Sequence, residues 1–230
     1  MIPARGGPKR IPHKNVKSFH GQPMIAHSIA AALASDRVDR LIVSTDDEEI
    51  ADIARTYGAE VPFRRAAHLA DDHATTINVI ADALEWAERE ESTPVEALLC
   101  LYATAPFTRG EDLRAAFDIF SRSEAAFVFA AAEYAYPIQR ALTLRNGRLE
   151  MFQPEHSSTR SQDLEPAYHD AGQFYWCRPE AVHRRLPIFG PQSMLYPMDR
   201  SRVQDIDTPD DWIFAERLFA LLQAQADAQS

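Results

Sequence analysis

Three continuous apolar runs, Leu41-Ile42-Val43, Ala97 to Tyr102 and Ala126 to Ala131, recur between longer segments whose apolar residues repeat at helical spacing. Runs that are apolar at every position suit strands buried on both faces, as in a parallel sheet. The intervening segments predict helices. Ile25, Ile29 and Leu33 mark one over 22–37. Ile77, Ile80, Leu84 and Ala87 mark another that ends near Glu90, and Leu113, Phe117 and Phe120 mark a third over 112–121. Ser44 to Glu49 supplies a hydroxyl or Asp cap and first-turn acids for one more helix, which Gly58 ends. These acids read as capping rather than metal binding. Glu60 to Arg64 predicts a further strand. The alternation gives an α/β class with helices on both faces of a mostly parallel sheet. Ligands of such sheets sit beyond the carboxyl ends of the strands. The segment after Ile2, Ser44-Thr45-Asp46, Arg64 and Tyr102 to Pro106 all occupy such ends.

The alternation stops near Tyr134. Asn146-Gly147 between 137–145 and 148–152 is a hairpin signal. A polar stretch follows, then an aromatic strand over Gly172 to Cys177 and a short helix over Pro179 to Arg185. Pro187 to Pro197 reads as loop with a short strand. The whole chain, 1–230, reads as one domain, with 134–168 as an insertion.

The segment Ile2 to Asn15 carries Arg5, Gly6, Gly7, Lys9, Arg10 and Lys14. Glycines let backbone N–H groups approach a ligand, and successive N–H groups in a turn form an anion-binding concavity. A solvated basic turn and a triphosphate site both have this composition. The background favours the second, because the chain has a formal net charge of −10. That charge argues against a nucleic-acid partner. No run is long enough to span a membrane and no signal peptide opens the chain, so the cytoplasm is expected. Cys100 and Cys177 lie far apart in apolar runs, which predicts buried thiols. Only Met1-Ile2 precedes the loop, where a strand normally has about five residues. Either the natural start lies upstream of Met1, the chain is trimmed, or the first strand is very short, and a central strand missing its first half would cost stability.

The stretch Val203-Gln204-Asp205-Ile206-Asp207 places two carboxylates two residues apart. If it is extended, both point one way and Ile206 points into the core. Two like charges so close call for a cation, and Mg²⁺ takes one or two carboxylates plus phosphates and water. Thr208-Pro209-Asp210-Asp211 is a helix start in either case, so Asp207 also reads as the residue before a cap. Asp205 is left unexplained by that reading.

The run IPARGGPKRIPHKN resembles the signature of the CMP-sugar-acid synthetases, the N-acylneuraminate cytidylyltransferase family, whose usual form has Ser in place of Pro8. Tyr136 to Arg140, Arg160 to Leu164 and Tyr168 to Trp176 are similar to the pseudaminic acid cytidylyltransferase branch. The resemblance covers nearly the whole chain. Sialic-acid members have Q-P-T-S-P where this chain has Tyr102-Ala103-Thr104-Ala105-Pro106, and Arg before Asn-Gly where it has His169 and Ala171-Gly172. The G-D-E-P run of the Kdo synthetases is absent. The resemblance implies a Rossmann-like three-layer α/β/α fold of the nucleotide-diphospho-sugar transferase type. It implies a homodimer in which 134–168 reaches toward the neighbouring subunit's site.

On this resemblance the expected reaction joins CTP to a nine-carbon sugar acid, giving a CMP-sugar and pyrophosphate. The anomeric hydroxyl attacks the α-phosphorus in line, and catalysis is mainly positioning and charge neutralisation. The expected catalytic residues are Lys14, Arg5 and Lys9. Ala4, Arg5, Gly6, Gly7, Lys9, Asn15, Arg64 and Ala103 are expected around the nucleotide. Asp205 and Asp207 are expected to hold Mg²⁺, which could also lower the pKa of the attacking hydroxyl. Arg140 and Arg160 suit the sugar carboxylate as bidentate partners. Gln139, Gln162, Asp163, His169 and Gln173 could read its polar groups, His169 being equally well a structural histidine. Sialic or legionaminic acid activation are the rivals among enzymes. A nucleotide-sugar-binding relative without turnover is the rival of another class.

Overall fold

The structure is a computed structural model, and it describes residues 1–7, 10–71, 74–90 and 92–228. Its strands are β1 (Ile2–Pro3), β2 (Ser18–Phe19), β3 (Gln22–Pro23), β4 (Val43–Ser44), β5 (Leu98–Leu101), β6 (Phe127–Glu133), β7 (Leu142–Arg145), β8 (Arg148–Met151), β9 (Tyr168–Cys177) and β10 (Ser193–Met198). Its helices are α1 (Met24–Leu33), α2 (Glu48–Thr56), α3 (Thr76–Glu90), α4 (Gly110–Ser121), α5 (Pro179–His183) and α6 (Pro209–Asp227).

The central sheet runs β4-β1-β5-β9-β6-β10. β1 pairs in parallel with β4. It joins β5 through Met1, whose amino group donates to the Leu99 carbonyl at 2.5 Å while Leu101 N–H donates back to Met1 at 3.0 Å. β9 is antiparallel to β5 and β6, and β10 is parallel to β6. One strand of the six therefore runs against the rest. The expected strand over 60–64 is not one. Only the isolated bridges Ile42 to Glu60 and Thr45 to Arg64 form, because Pro62 lies between them and has no N–H to donate.

Burial on both faces explains the apolar runs. In β5, Leu99 and Leu101 pack toward α1, α2 and α4, while Leu98 and Cys100 pack toward α3 and α5. In β9, Phe174 and Trp176 face the first side, and Tyr175 and Cys177 the second. Both thiols are buried, and burial pushes Cys100 up to about 12 and Cys177 well above its ordinary range. The first strand is as short as expected, yet Ile2 is fully enclosed.

A third cluster positions the site. Ile11 and Phe19 from the amino-terminal segment pack with Phe107, Ile206, and Trp212 and Ala215 of α6. α6 begins as the sequence predicts, with Thr208 accepting from Asp211 N–H at 3.2 Å and the Asp211 carboxylate returning to Thr208 N–H at 2.8 Å. The β2–β3 hairpin falls inside what reads as approach to a helix. Its two-residue turn is His20-Gly21, both at positive φ, and a histidine there carries a weaker signal than the Asn146-Gly147 pair that joins β7 to β8. β7 and β8 pair with each other and with no other described strand.

Candidate functional site

The carboxyl ends of β1 and β5 open into a cleft of about 670 Å³. That volume suits a nucleotide-sized ligand. Arg5, Arg10, Lys14 and Asn15 line it from the amino-terminal loop, Arg65 from beyond β4, Thr76 and Val79 from α3, Tyr102 to Thr104 from beyond β5, and Asp207 from before α6. Four cations thus meet in one cleft of an acidic protein.

The loop and the carboxyl-terminal acids are in direct contact. Lys14 Nζ donates to the Ile206 carbonyl at 2.6 Å and lies 3.3 Å from Asp207 Oδ1. Arg10 reaches the other Asp207 oxygen at 3.3 Å. Segment 203–207 has no ladder partner, but Ile206 is buried between the exposed Asp205 and Asp207, so the expected alternation holds. Partial desolvation and the Asp207 carboxylate raise the Asp205 pKa, against the pull of Lys14. Among the described residues no group of three or more His, Cys, Asp or Glu is set to hold a metal ion. Asp207 lines the nucleotide-sized cleft and Asp205, two residues before it, does not; the two carboxylates are oxygen donors of the kind Mg²⁺ takes together with phosphate and water.

Within the loop, the Asn15 side chain donates to the Arg5 carbonyl at 2.9 Å and fixes the turn. Ala4 is buried and continues the β1 register, its N–H donating to Ser44 at 3.0 Å. Gly6 N–H donates to Asp46 Oδ1 at 3.0 Å, so this N–H is held by protein and does not face the cleft openly. Gly6 is required for space: a Cβ there would meet Asp47 Oδ2 at 2.4 Å. A Cβ on Gly7 would meet nothing within 4 Å. Asp47 caps α2, accepting from Ile50 N–H at 3.0 Å, as the sequence predicts. Lys9 lies outside the described residues.

Arg64 is a correction. It is exposed, donates to the Asp46 carbonyl at 2.9 Å and lines a separate groove with Asp47, Glu48 and Arg55. The neighbouring Arg65 is the one in the cleft. Its buried guanidinium donates to Ser44 Oγ at 3.0 Å and to the Ser44 carbonyl. Burial lowers its pKa, and the Asp46 carboxylate offsets part of that. Alternation along an irregular edge decides between two adjacent arginines, and the sequence does not show its phase.

Gln173 is a second correction. It is buried, its amide oxygen accepts from Thr108 Oγ1 at 2.5 Å, and its amide nitrogen donates to the Arg202 carbonyl at 3.0 Å. Both ends are spent inside the fold. The other residues expected to read the sugar line no part of the cleft. Gln139 donates to the Glu165 carbonyl at 2.9 Å, Arg140 to Ser161 Oγ at 3.4 Å, and Arg160 pairs with Asp163 at 2.9 Å. Gln162 is exposed, and His169 Nδ1 bonds the Asp170 carbonyl at 2.8 Å. Ala103, by contrast, lines the cleft.

A nucleotide-sized cleft, converging cations and a nearly parallel sheet define a three-layer α/β domain of the nucleotidyltransferase class. The fold resembles the solved CMP:2-keto-3-deoxy-manno-octonic acid synthetase complexed with CTP, with a TM-score of 0.65 at 15% identity over 96% of this chain and 97% of that one. It also resembles the 4-diphosphocytidyl-2C-methyl-D-erythritol synthase of Anaerococcus prevotii, with a TM-score of 0.62 at 13% identity over 96% and 98%. The chain belongs to the cytidylyltransferase family, whose model matches residues 1–180. It is 44% identical over 220 residues to the pseudaminic acid cytidylyltransferase of Campylobacter jejuni, covering 95% of this chain and 94% of that one. It is 34% identical over 233 residues to the CMP-N,N'-diacetyllegionaminic acid synthase of Legionella pneumophila, covering 97% and 96%.

Proposed function

We propose that this enzyme transfers CMP from CTP to a nine-carbon sugar acid, pseudaminic acid, and releases pyrophosphate. The observation that carries the reading is the meeting of Lys14 with Asp207 in a cleft lined by Arg5, Arg10 and Arg65. The 44% identity to a pseudaminic acid enzyme, against 34% to a legionaminic acid enzyme, favours pseudaminate over its relatives.

In this mechanism Arg5 and Arg10 hold the phosphates, and Lys14 stands where charge builds at the α-phosphate. Phosphoryl-type transfers of this kind are catalysed by positioning and by neutralising developing charge. Asn15 keeps the loop in shape through the Arg5 carbonyl. Arg65 and the backbone at Ala103 take the nucleoside side. Asp205 and Asp207 would hold Mg²⁺, which supplies positive charge to the triphosphate.

Residues 134–168 carry exposed Tyr136, Leu144, Leu149 and Phe152. An apolar surface of this kind favours a second copy of the chain as its cover, and so a homodimer. Sugar contacts from Gln139, Arg140, Arg160, Gln162, Asp163 and His169 would then be made across subunits. No described helix is long and apolar enough to cross a membrane. A reaction that consumes CTP favours the cytoplasm, the location we infer for it.

Pyrophosphate release with CTP and Mg²⁺, measured in parallel with pseudaminate, legionaminate and sialate, tests the reading. Pseudaminate should give the highest kcat/KM. Equal or better turnover of another acid would reassign the substrate, and CTP binding without turnover of any acid would mark a binding protein.

A further inference from the structure

Gln173 is buried where three segments around the cleft meet, and the mechanism above does not use it. A bulge in β9 sets its place. The β6–β9 register shifts here, with Ala130 alone set against 171–174, and Gly172 takes φ +61°. Asp170 brackets the bulge, accepting from Gly172 N–H at 3.0 Å and from the Tyr175 hydroxyl at 2.5 Å. Bulges re-aim side chains. The Gln173 carbonyl stays in the sheet and accepts from Tyr102 N–H at 2.8 Å. Its side chain reaches two connecting segments. The amide oxygen accepts from Thr108 Oγ1 at 2.5 Å, and the amide nitrogen donates to the Arg202 carbonyl at 3.0 Å. One residue thus joins the end of β5, the loop before α4 and the segment that runs into Asp205 and Asp207.

That last segment needs an anchor. Among the described residues 203–207 has no ladder partner, so sheet hydrogen bonds do not place its two carboxylates. Its main chain is gripped at the Ile206 carbonyl by Lys14 at 2.6 Å, and just before it at the Arg202 carbonyl by Gln173. The grips differ in stiffness. Lys14 holds with an ammonium on a flexible four-carbon stem. The Arg202 guanidinium pairs with Asp112 at 2.7 and 2.8 Å, but it acts on its own peptide only through a long side chain. Gln173 is 2% exposed and bonded at both ends of its amide, so it holds the Arg202 peptide directly against the sheet. Hydrogen bonds that fix metal-binding groups from behind change metal affinity by about tenfold or more.

We propose that Gln173 is a positioning residue for the metal-holding acids: its amide clamps the Arg202 carbonyl and so sets where Asp205 and Asp207 stand relative to the cleft wall of Tyr102 to Thr104. That these acids hold Mg²⁺ rests on the function proposed above.

Two substitutions separate the clamp from general support of the fold. Gln173→Met keeps the bulk and removes both side-chain bonds. Thr108→Val removes the Thr108 bond and leaves the one to Arg202. Mn²⁺ binding to wild type, both single variants and the double variant is followed by electron paramagnetic resonance. Exchange of backbone amides over 200–208 is followed by mass spectrometry, and each protein is melted. Gln173→Met is expected to weaken Mn²⁺ by about tenfold and to speed exchange over 200–208. Thr108→Val is expected to lower the melt while leaving Mn²⁺ affinity and that exchange within about twofold. The double variant no longer strands the Thr108 hydroxyl, so it should melt no lower than Gln173→Met and still bind Mn²⁺ weakly. Unchanged Mn²⁺ affinity in Gln173→Met, an equal loss in Thr108→Val, or recovery of Mn²⁺ affinity in the double variant would overturn the proposal. Should Gln173→Met fail to fold, the double variant carries the same comparison against Thr108→Val. A wild type that binds no Mn²⁺ would remove the metal reading instead. The exchange measurements would still be read, and unchanged exchange over 200–208 in Gln173→Met would also overturn the clamp.

Discussion

Lys14 Nζ lies 2.6 Å from the Ile206 carbonyl and 3.3 Å from Asp207 Oδ1, joining segments 193 positions apart in the chain. The ammonium is mostly enclosed, with 17% of the side chain exposed. One cation therefore both anchors the carboxyl-terminal acids and faces the cleft. Lys14→Ala should lower kcat by about 100-fold or more, in line with losing a preorganised charge at a reacting centre. Pyrophosphate release beside a thermal melt checks this. A folded variant with near-normal kcat would remove Lys14 from the chemistry.

Asp207→Asn should raise the Mg²⁺ concentration needed for half-maximal rate, or end activity. Burial and the neighbouring Asp207 carboxylate raise the Asp205 pKa, and a cation between the two would relieve that cost. A Mg²⁺ titration of the rate, with Mn²⁺ binding followed separately by electron paramagnetic resonance, reads the effect. An unchanged metal dependence would move the ion elsewhere.

The Arg202 guanidinium grips Asp112 with two bonds, at 2.7 and 2.8 Å, and Tyr196 adds a third at 3.0 Å. Asp112 is 2% exposed, so it is a paired buried charge. Asp112→Ala leaves the guanidinium unpaired and should cost about 3–5 kcal/mol. Burial alone would raise the Asp112 pKa, but the Arg202 bonds outweigh it and the net shift is downward. A depressed folded pKa means the stabilisation is full above the unfolded value near ~3.9 and is lost as pH falls through the folded value. Urea unfolding of wild type and variant should therefore differ most at neutral pH and converge in strong acid.

Much of this architecture was legible because burial on both faces leaves an unbroken apolar run. β5 and β6 announce themselves that way, and Thr208 to Asp211 announces α6. Residues whose meaning depends on tertiary geometry were not legible. Gln173 looks like a ligand-reading amide until Thr108 and the Arg202 carbonyl occupy both of its ends. The bulge at Gly172, which turns Asp170 toward Tyr175, has no local signature beyond one glycine. Asp46 reads as a cap, yet it holds Gly6 N–H across 40 positions.

Gly6 and Gly7 should respond differently to the same change. Gly6→Ala drives a Cβ into the Asp47 side chain that caps α2, and that cap cannot move without releasing Ile50 N–H. Loss of the cap alone costs about 1 kcal/mol, and the displaced loop should weaken CTP binding as well. Gly7→Ala has open space and should change neither. Calorimetry with CTP and a melt on each variant distinguish crowding from a requirement for two glycines.

Arg64 and Arg65 give the sharpest contrast between neighbours. Arg64 is exposed and bonds only a carbonyl outside the cleft, so Arg64→Ala should leave CTP affinity within about twofold, as surface changes usually do. Arg65 is 5% exposed, held by Ser44 through two bonds, and lines the cleft. Arg65→Lys keeps the charge but cannot make the paired contacts of a planar guanidinium. It should weaken CTP by about tenfold or more, and Arg65→Met should do at least as much while also lowering stability, because Ser44 Oγ loses its guanidinium donor. CTP calorimetry on the three variants decides the matter. Equal losses at 64 and 65 would mean that the nucleotide spans both grooves, and a loss at 64 alone would return the nucleoside side to that position.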